Sequence, residues 1–408
     1  MQVLYDRCCG LDIHKDSITC CVLVGDQPPE VRTFGTTTQQ LLALREWLES
    51  QAVSHIAMES TGVYWKPVWN LLEDGFALLL ANAQHIKNVP GRKTDVLDSQ
   101  WIAQLLRHGL LRASFVPDRP QRELRELTRG RAQLVGDRAR VANRIQKILE
   151  DANIKIGSVI SDILGKSGRS MLQMLITQAD ATPEAVAELA LGMLRRKIPQ
   201  LQAALTHRGS LGDHHRFMLK QQLEQVEHLE RQIEAYEQRI EQVMGAKGEQ
   251  LAKIDLVPGI NRRAAQAILA EIGTDTSRFA TSHHLASWAG LCPGNHESAG
   301  RRRSGRTRKG NRWLSSVLVQ CARAAARTRR SYFHQFYHRL KARRGHKRAL
   351  IAVAHSMLVT IWHLLSTPAE YADLGPDHFH KHDATRHRNR LVRKLEKLGF
   401  HVELTPAA

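Results

Sequence analysis

The sequence predicts an α/β domain followed by a mostly helical remainder, divided at residues 1–115, 116–250, 251–365 and 366–408. Up to residue 115, short apolar runs alternate with segments of helical spacing. Two long stretches then repeat apolar residues every seven positions.

The charged residues are also distributed unevenly between the early and the late part of the chain. Residues 1–115 carry 10 Lys+Arg against 12 Asp+Glu, and residues 251–345 carry 19 against 4, within a net charge of +19. A protein with such an excess of positive charge usually binds a polyanion, which favours nucleic acid as the partner of the late segment.

The first domain is predicted to alternate strands with helices. Two extended segments joined by a turn cover Arg7–Val24, and further strands are predicted over Val31–Phe34, His55–Met58 and Phe76–Ala81. Helices are predicted over Thr38–Ser50, Trp65–Leu72 and Thr94–Leu111, where apolar residues recur at helical spacing. This alternation is typical of an α/β domain.

Four acidic residues stand at the ends of these elements. Asp12 ends the first strand, Glu59 ends a later one, and Asp95 and Asp98 share one face at the start of a helix. Mg²⁺ prefers such oxygen ligands, and two ions about 3.5 to 4 Å apart can activate a nucleophile and stabilise a leaving oxygen at phosphorus. Each acid alone has a simpler explanation as a turn cap or a solvated helix start. Together, their order matches an RNase H-like nuclease.

The middle domain is predicted to contain two long helices, over Gln121–Glu150 and Leu219–Val243. The second has the cleaner heptad pattern, with an apolar row from Leu219 to Ile240. Two such helices can pair within one chain or between two chains, and the sequence hardly distinguishes these alternatives. Shorter helices are predicted between them, one of which starts at Pro183.

The late domain opens on a predicted helix-hairpin-helix. A Pro258–Gly259 turn leads into a second helix over Arg262–Ile272. Such a turn presents backbone N–H groups to a phosphate and gives sequence-independent binding. Asn261 stands where this motif commonly has a second glycine, and a plain helical hairpin is the alternative.

A flexible basic loop is predicted from Cys292 to Arg312, after a helix over Phe279–Leu291. Arginine suits bidentate phosphate binding, and a serine beside cations can attack phosphorus because they stabilise the developing charge. The candidate nucleophiles are Ser298, Ser304, Ser315 and Ser316. A surface serine in a nucleic-acid-binding loop is the alternative. The predicted nucleic-acid contacts are Arg262, Arg263, Arg301, Arg302, Arg303, Arg306, Arg308, Lys309 and Arg312.

The last predicted helices, the apolar runs and the cysteines remain to be considered. Helices are predicted over Trp313–Thr328 and His346–Leu365, and a basic amphipathic helix over Leu391–Leu398 in the tail. No apolar run reaches the roughly 18 to 20 residues of a membrane span, which predicts a cytoplasmic, nucleoid-associated protein without a membrane partner. The six cysteines show no CxxC pairing and are expected to be small apolar residues.

Several stretches together resemble the IS110 family of transposases, and within it the IS1111 group. The residues that carry the resemblance are Gly10–Lys15 (GLDIHK), Met58–Trp65 (MESTGVYW), Asn82–Asp98 (NAQHIKNVPGRKTDVLD), Val257–Ile260 (VPGI), Gly290–Gly294 (GLCPG), Glu297–Gly300 (ESAG) and Arg308–Leu314 (RKGNRWL). The resemblance covers nearly the whole chain apart from the tail. Any one stretch is weak, and the combination is specific.

The resemblance implies a RuvC-like domain, a coiled-coil region and a C-terminal transposase domain. It maps a DEDD tetrad onto Asp12, Glu59, Asp95 and Asp98, with Mg²⁺ as cofactor, and a catalytic serine onto Ser298. It further implies a transient phosphoserine link to DNA, with double-stranded element ends and target as substrates and a structured guide RNA as partner. The enzyme would act as a homo-oligomer, a dimer or tetramer, that combines domains of different protomers.

Two other functions compete with this one. A junction resolvase or RNase H-type nuclease would use the four acids with water as the nucleophile and leave Ser298 idle. A nucleic-acid-binding structural protein would need neither the acids nor the serine.

Overall fold

A computed structural model describes residues 2–60, 62–81, 95–206, 211–294, 296–298 and 301–404, with the side chains of residues 95–97, 296–298, 301–304, 380–387 and 390 excepted. The chain divides into two compact units, Met1–Arg119 and Pro120–Ala408. The finer division of the second unit stays a prediction.

The first unit is built on one mixed five-stranded sheet. Its strands are β1 (Arg7–Ile13), β2 (Ser17–Val24), β3 (Glu30–Gly35), β4 (His55–Glu59) and β5 (Ala77–Ala81). The order is β3-β2-β1-β4-β5, in which β1, β4 and β5 are parallel and the β1–β2 and β2–β3 pairs are antiparallel. The predicted α/β class is confirmed, and the arrangement is consistent with a RuvC-like domain.

Helices cover both faces of this sheet. Helices α1 (Thr38–Ser50) and α2 (Trp65–Leu72) share a core with Leu11 and Ile13, whereas α3 (Asp95–Arg107) packs on the opposite face, around Ala57. Alternate strand residues point to opposite faces, so β1 and β4 are apolar on both. Cys8, Cys9, Cys20 and Cys21 are buried in these cores, where burial raises the pKa of each thiol. They are the small apolar residues that the sequence predicted.

Helix α3 ends at Arg107, four residues before its predicted end at Leu111. Gly109 adopts φ 67°, and the Leu110 N–H bonds back to the Leu105 carbonyl at 2.9 Å. A left-handed glycine whose following residue donates its N–H to a carbonyl of the last helical turn forms a Schellman cap. The apolar pattern continues through Leu110 and Leu111, but the glycine has already terminated the helix.

The second unit is mostly helical. Its helices before the hairpin described below are α4 (Arg119–Asp151), α5 (Ile156–Val159), α6 (Lys166–Thr177), α7 (Pro183–Glu188), α8 (Ile198–Leu205), α9 (Asp213–Met244), α10 (Gly248–Asp255), α11 (Arg262–Ile272) and α12 (Ser282–Trp288). Those after it are α13 (Arg312–Ala325), α14 (Tyr332–Arg344), α15 (His346–Ser366) and α16 (His378–Lys397). Short 3₁₀ turns cover Gly192–Lys197 and Gly245–Lys247. Pro183 does begin a helix, which Thr182 caps by accepting a bond from the Ala185 N–H.

The two long helices pair within the chain. Arg138 of α4 bonds to Glu230 of α9 at 2.8 Å, and Asp151 lies 3.0 Å from His215. As the residue number rises along α4, the number of its partner in α9 falls, so the two helices are antiparallel. The core beneath contains Val141 and Ile145 of α4 with Val226 of α9, closed by α6, α7 and α8. Of the two alternatives for the heptad pattern, the structure has the intrachain hairpin.

Helix α15 is long and apolar enough to cross a membrane, by length and composition alone. The sequence predicts no such segment. In the fold, the helix packs against α12, α13 and α14, and a continuous stripe from Leu350 to Leu364 is buried. A core helix of a folded domain has the same composition, so this helix is weak evidence for a membrane span.

Candidate functional site: an acidic sheet edge and a basic hairpin

Two of the four predicted acids lie at the carboxyl ends of adjacent parallel strands, and therefore at the same edge of the sheet. Gly10 pairs with Ala57 and Leu11 with Met58, so Asp12 and Glu59 follow at the carboxyl ends of β1 and β4. Side chains two residues apart share a face. Asp12 is therefore on the face of Gly10, and Glu59 on the face of Ala57, which is the face that α3 covers.

Gly10 brings α3 directly onto β1. A Cβ on Gly10 would lie 2.3 Å from the Ser99 carbonyl oxygen and 2.4 Å from the Ala103 nitrogen, which leaves room for glycine alone. The Cys8 thiol reaches the Ala103 carbonyl at 3.7 Å, so α3 runs antiparallel to β1. The N-terminal turn of α3, with Asp95 and Asp98, therefore lies at the end of β1 that has Asp12.

His14 is a site residue that the sequence analysis did not single out. Its Nε2 lies 3.2 Å from Oδ2 of Asp12, whose side chain is only 14% exposed. The imidazole is itself 63% exposed, so it shields the carboxylate from solvent on one side only. The signal was present in the spacing Asp12-Ile13-His14, because residues i and i+2 of a strand share a face.

The chemistry of these donors fits a divalent cation. Asp12, Glu59 and Asp98 are half-buried carboxylates, which are hard oxygen ligands. Ser99, next to Asp98 in the chain, is fully buried, and its Oγ has no hydrogen-bond partner among the described residues. Within the described side chains, however, no three His, Cys, Asp or Glu groups lie close enough to hold an ion. The side chain of Asp95 lies outside the described residues, so a metal site formed by all four acids stays a prediction.

The second unit carries Ser298 on a short hairpin rather than in a flexible loop. Strands β6 (His296–Ser298) and β7 (Arg301–Ser304) pair antiparallel, with Ser298 opposite Arg301. The prediction of an irregular loop was wrong for these residues, because two short polar strands gain their backbone bonds from each other. The side chains of Ser298, Arg301, Arg302, Arg303 and Ser304 lie outside the described residues.

Two glycines close the base of the hairpin. A Cβ on Gly310 would lie 2.3 Å from the Gly290 nitrogen, so the backbones of these residues touch. Gly294 donates to the Arg306 carbonyl at 2.8 Å, and Asn311 donates to the Trp288 carbonyl at 3.1 Å. The segment therefore leaves and rejoins the helical unit at one place. Of the predicted contacts here, the side chains of Arg306, Arg308, Lys309 and Arg312 are exposed.

A buried ion-pair network holds Asn311, the residue at which the chain leaves this hairpin. Glu271 of α11, 3% exposed, accepts hydrogen bonds from Arg129 at 2.7 and 2.8 Å and from the Asn311 amide at 2.6 Å. Arg125 lies 3.5 Å away on the same carboxylate, and burial lowers its pKa to about 10. The Asn311 side-chain oxygen in turn caps α13 through the Trp313 and Leu314 N–H groups. Glu271 thus couples α4, α11 and the start of α13.

Arg262 and Arg263 are engaged by acids of α9. Arg262 bonds to Glu241 and lowers the pKa of that carboxyl, and Arg263 lies 2.7 Å from Glu237. Their guanidinium groups remain more than half exposed. The structure therefore gives the charge of each a partner within the protein.

The predicted helix, turn and helix are present in α10 and α11. Gly259 has φ 88°, and a Cβ there would lie 2.5 Å from backbone atoms of Cys321 and Ala325 in α13. Asn261 caps α11 by accepting from the Ala264 N–H at 2.9 Å. Packing against α13 accounts for the glycine, and capping accounts for the asparagine. Contact with phosphate stays a prediction.

Comparison with known families supports an assignment to both units. Residues 9–154 match a transposase model of the DEDD type found in IS110 elements, and residues 251–338 match the model for the transposase IS116/IS110/IS902 family. With an acidic edge in the first unit and a basic hairpin in the second, the chain is a DNA transposase. It belongs to the IS110 family. A DEDD transposase domain implies dependence on a divalent metal ion in general.

Three individual relatives align with this chain over most of their own length. The transposase for insertion sequence element IS1111A of Coxiella burnetii is 24% identical over 371 residues, 89% of this chain and 90% of its own. The uncharacterized proteins of element IS116 of Streptomyces clavuligerus and element IS900 of Mycobacterium paratuberculosis are 28% and 27% identical. They cover 71% and 72% of this chain, and 78% and 80% of their own lengths respectively.

Proposed function

We propose that the chain cuts and rejoins DNA strands through a covalent link between Ser298 and a phosphate. The observation that carries the proposal is the position of Ser298 at the end of β6, directly opposite Arg301 at the start of an arginine-rich strand. A hydroxyl held beside cations is activated towards phosphorus, because they stabilise the charge that develops on the phosphate.

The proposed reaction conserves phosphoester bonds. The Ser298 oxygen forms a bond to phosphorus while the bond to the DNA 3′ oxygen breaks, and the serine proton passes to that leaving oxygen. The 3′-hydroxyl of a second strand then attacks the phosphoserine, forms a new phosphodiester and returns a proton to Ser298. Arg306, Arg308 and Lys309 would neutralise phosphate charge during both steps.

Asp12, Glu59, Asp95 and Asp98 would hold Mg²⁺, and two ions fit a set of four carboxylates. Ions held there supply Lewis-acid stabilisation of phosphate oxygens. His14 would orient the Asp12 carboxylate through its bond to Oδ2. The remaining parts of the proposal are a structured RNA guide, a homo-oligomer that combines the two units of different protomers, and a place at the bacterial nucleoid.

Trapping of a covalent adduct tests this function. The full chain would be incubated with Mg²⁺, RNA transcribed from the sequence flanking its gene and DNA joining the element ends, then resolved on a denaturing gel. We expect a DNA-linked protein band that is lost in Ser298→Ala and in Asp95→Ala, and on chelation of the metal. Ser304→Ala, a serine on the neighbouring strand, is the matched control and should retain the band.

Cleaved DNA with free ends, unaffected by Ser298→Ala, would contradict the serine mechanism. It would point instead to a nuclease that uses the same acids with water as the nucleophile. Normal cleavage in Asp12→Asn and Glu59→Gln would contradict the acidic site.

A further inference from the structure

The sequence after Ser298 contains an unusually long stretch without acidic residues. From residue 298 to residue 369 there is no Asp or Glu, whereas there are 17 Lys and Arg residues. Seven of these belong to the hairpin and the start of α13. Five others, Lys341, Arg343, Arg344, Lys347 and Arg348, lie where α14 meets α15. We call these five residues the basic corner.

The basic corner is fully presented to solvent. All residues from 341 to 348 are exposed, and none of its five cations forms an ion pair with an acid in the described part of the chain. Five like charges within eight residues repel one another, which destabilises a folded surface unless an anion shares it. This differs from Arg262 and Arg263, whose charges are matched by Glu241 and Glu237.

Lys341, Arg343 and Arg344 lie in the last turn of α14, where the helix dipole favours cations, but the stability of α15 does not explain Lys347 and Arg348. Lys347 and Arg348 occupy the first turn of this 21-residue helix, where the helix dipole disfavours cations. Neither side chain belongs to the buried stripe that begins at Ala349. These cations therefore oppose helix formation without adding to the core.

Two hydrogen bonds also join α14 to α15 at the basic corner. The Tyr337 hydroxyl, on a residue only 7% exposed, lies 2.6 Å from His346 Nδ1 and ties the first turn of α15 to α14. The Gly345 N–H donates to the Lys341 carbonyl at 3.0 Å. Gly345 has φ 80°, and nothing lies within 4 Å of the place where its Cβ would be. The backbone at Gly345 is therefore open to solvent.

We propose that the basic corner binds the phosphate backbone of double-stranded DNA, as a sequence-independent contact separate from the hairpin. The corner lies beyond residues 251–338, and it takes no part in the serine or metal chemistry proposed above. Phe333 and Tyr337 of α14 are buried, 1% and 7% exposed, so neither ring offers a stacking platform for the bases of a single strand. Cations without such a platform fit a duplex, which is bound through its phosphates.

Salt-dependent binding tests the proposal without requiring catalysis, so it can fail while the proposed chemistry stands. The full chain would be titrated into a fluorescent DNA duplex of arbitrary sequence, about 30 base pairs long, between about 50 and 200 mM salt. The variant is Arg343→Gln/Arg344→Gln/Lys347→Gln. The matched control is Arg144→Gln/Lys147→Gln/Arg196→Gln, which removes the same charge from exposed residues elsewhere in the unit.

We expect the corner variant to lower the slope of log affinity against log salt by about 3, with about tenfold or more weaker binding at low salt. The control should change the slope by less than about 1. Arg343→Lys/Arg344→Lys keeps the charge and should keep the slope, and unchanged melting temperatures would establish folding. Equal losses in the two triple variants would overturn the proposal, as would a loss seen only with a structured RNA hairpin.

Discussion

Arg129 donates hydrogen bonds to both carboxylate oxygens of Glu271, from Nε to Oε1 at 2.7 Å and from Nη2 to Oε2 at 2.8 Å. The two residues are 142 positions apart in the chain. Because the Glu271 carboxylate also accepts from Asn311, this pair determines where the arginine-rich hairpin returns to the helical unit.

Replacement of Glu271 by Gln should destabilise the second unit strongly. The change removes the negative charge of Glu271, 3% exposed, from Arg125 and Arg129, and breaking a buried ion pair costs about 3 to 5 kcal/mol. Urea unfolding would measure the loss. Glu249→Gln, which removes an exposed pair with Lys253, is the control and should cost less than about 1 kcal/mol. Similar values for both variants would mean that the network adds no stability.

Gly10→Ala should separate α3 from β1. The new methyl group would overlap the Ser99 carbonyl and the Ala103 nitrogen, which are backbone atoms that cannot rotate away. Overpacking of this kind costs about 1 to 3 kcal/mol or more, and here it would also displace Asp98 from Asp12. We expect a lower melting temperature and loss of the DNA adduct.

Gly35→Ala is the control for that substitution. It lies in the same sheet, and its Cβ would meet only the flexible side chain of Gln40 at 3.3 Å. Full adduct formation in Gly10→Ala would show that the position of α3 is not required for the reaction.

Cys292 should be the first cysteine to react with a thiol reagent in the folded protein. The thiolate is the reactive form, and burial raises the pKa of Cys8 and Cys21 to about 11 and of Cys321 to about 12. Cys292 is half-buried, with its pKa also raised, so labelling near pH 8 should be slow and should accelerate as pH rises. Mass spectrometry would locate one modified site, absent in Cys292→Ser. Rapid labelling of the strand cysteines would contradict the packing of the sheet.

The hairpin cations should contribute more to DNA binding than the cations at the start of α11. Arg262 and Arg263 already face Glu241 and Glu237, whereas Arg308 and Lys309 are exposed. We expect Arg308→Gln/Lys309→Gln to reduce the salt slope of DNA binding by about 2, and Arg262→Gln/Arg263→Gln by less than about 1. Fluorescence anisotropy of the two double variants would make the comparison. The reverse order would favour a phosphate-binding helix-hairpin-helix.

The first unit could be predicted closely because its signals are local. The bounds of α1 and α2 follow from apolar spacing alone, and the two acids at the strand ends follow from the alternation of strands and helices. The end of α3 was misplaced because an apolar pattern was followed past Gly109, whose left-handed conformation terminates the helix.

The second unit was harder because its determinants are far apart in sequence. No local pattern in the sequence joins Arg125 or Arg129 to Glu271. The pairing of β6 with β7 is likewise a property of two strands together, and arginine-rich strands have the composition of a loop. Helix α14 was not predicted, since only Phe333 and Tyr337 of its residues are buried.

The contact between Gly290 and Gly310 makes the segment between them an interchangeable cassette. Its two ends meet at one point, so a change in its length alters loop-closure entropy and leaves the helices in place. Doubling such a loop costs only about 0.6 kcal/mol. A segment of different length could therefore be grafted between these two glycines on the same helical frame.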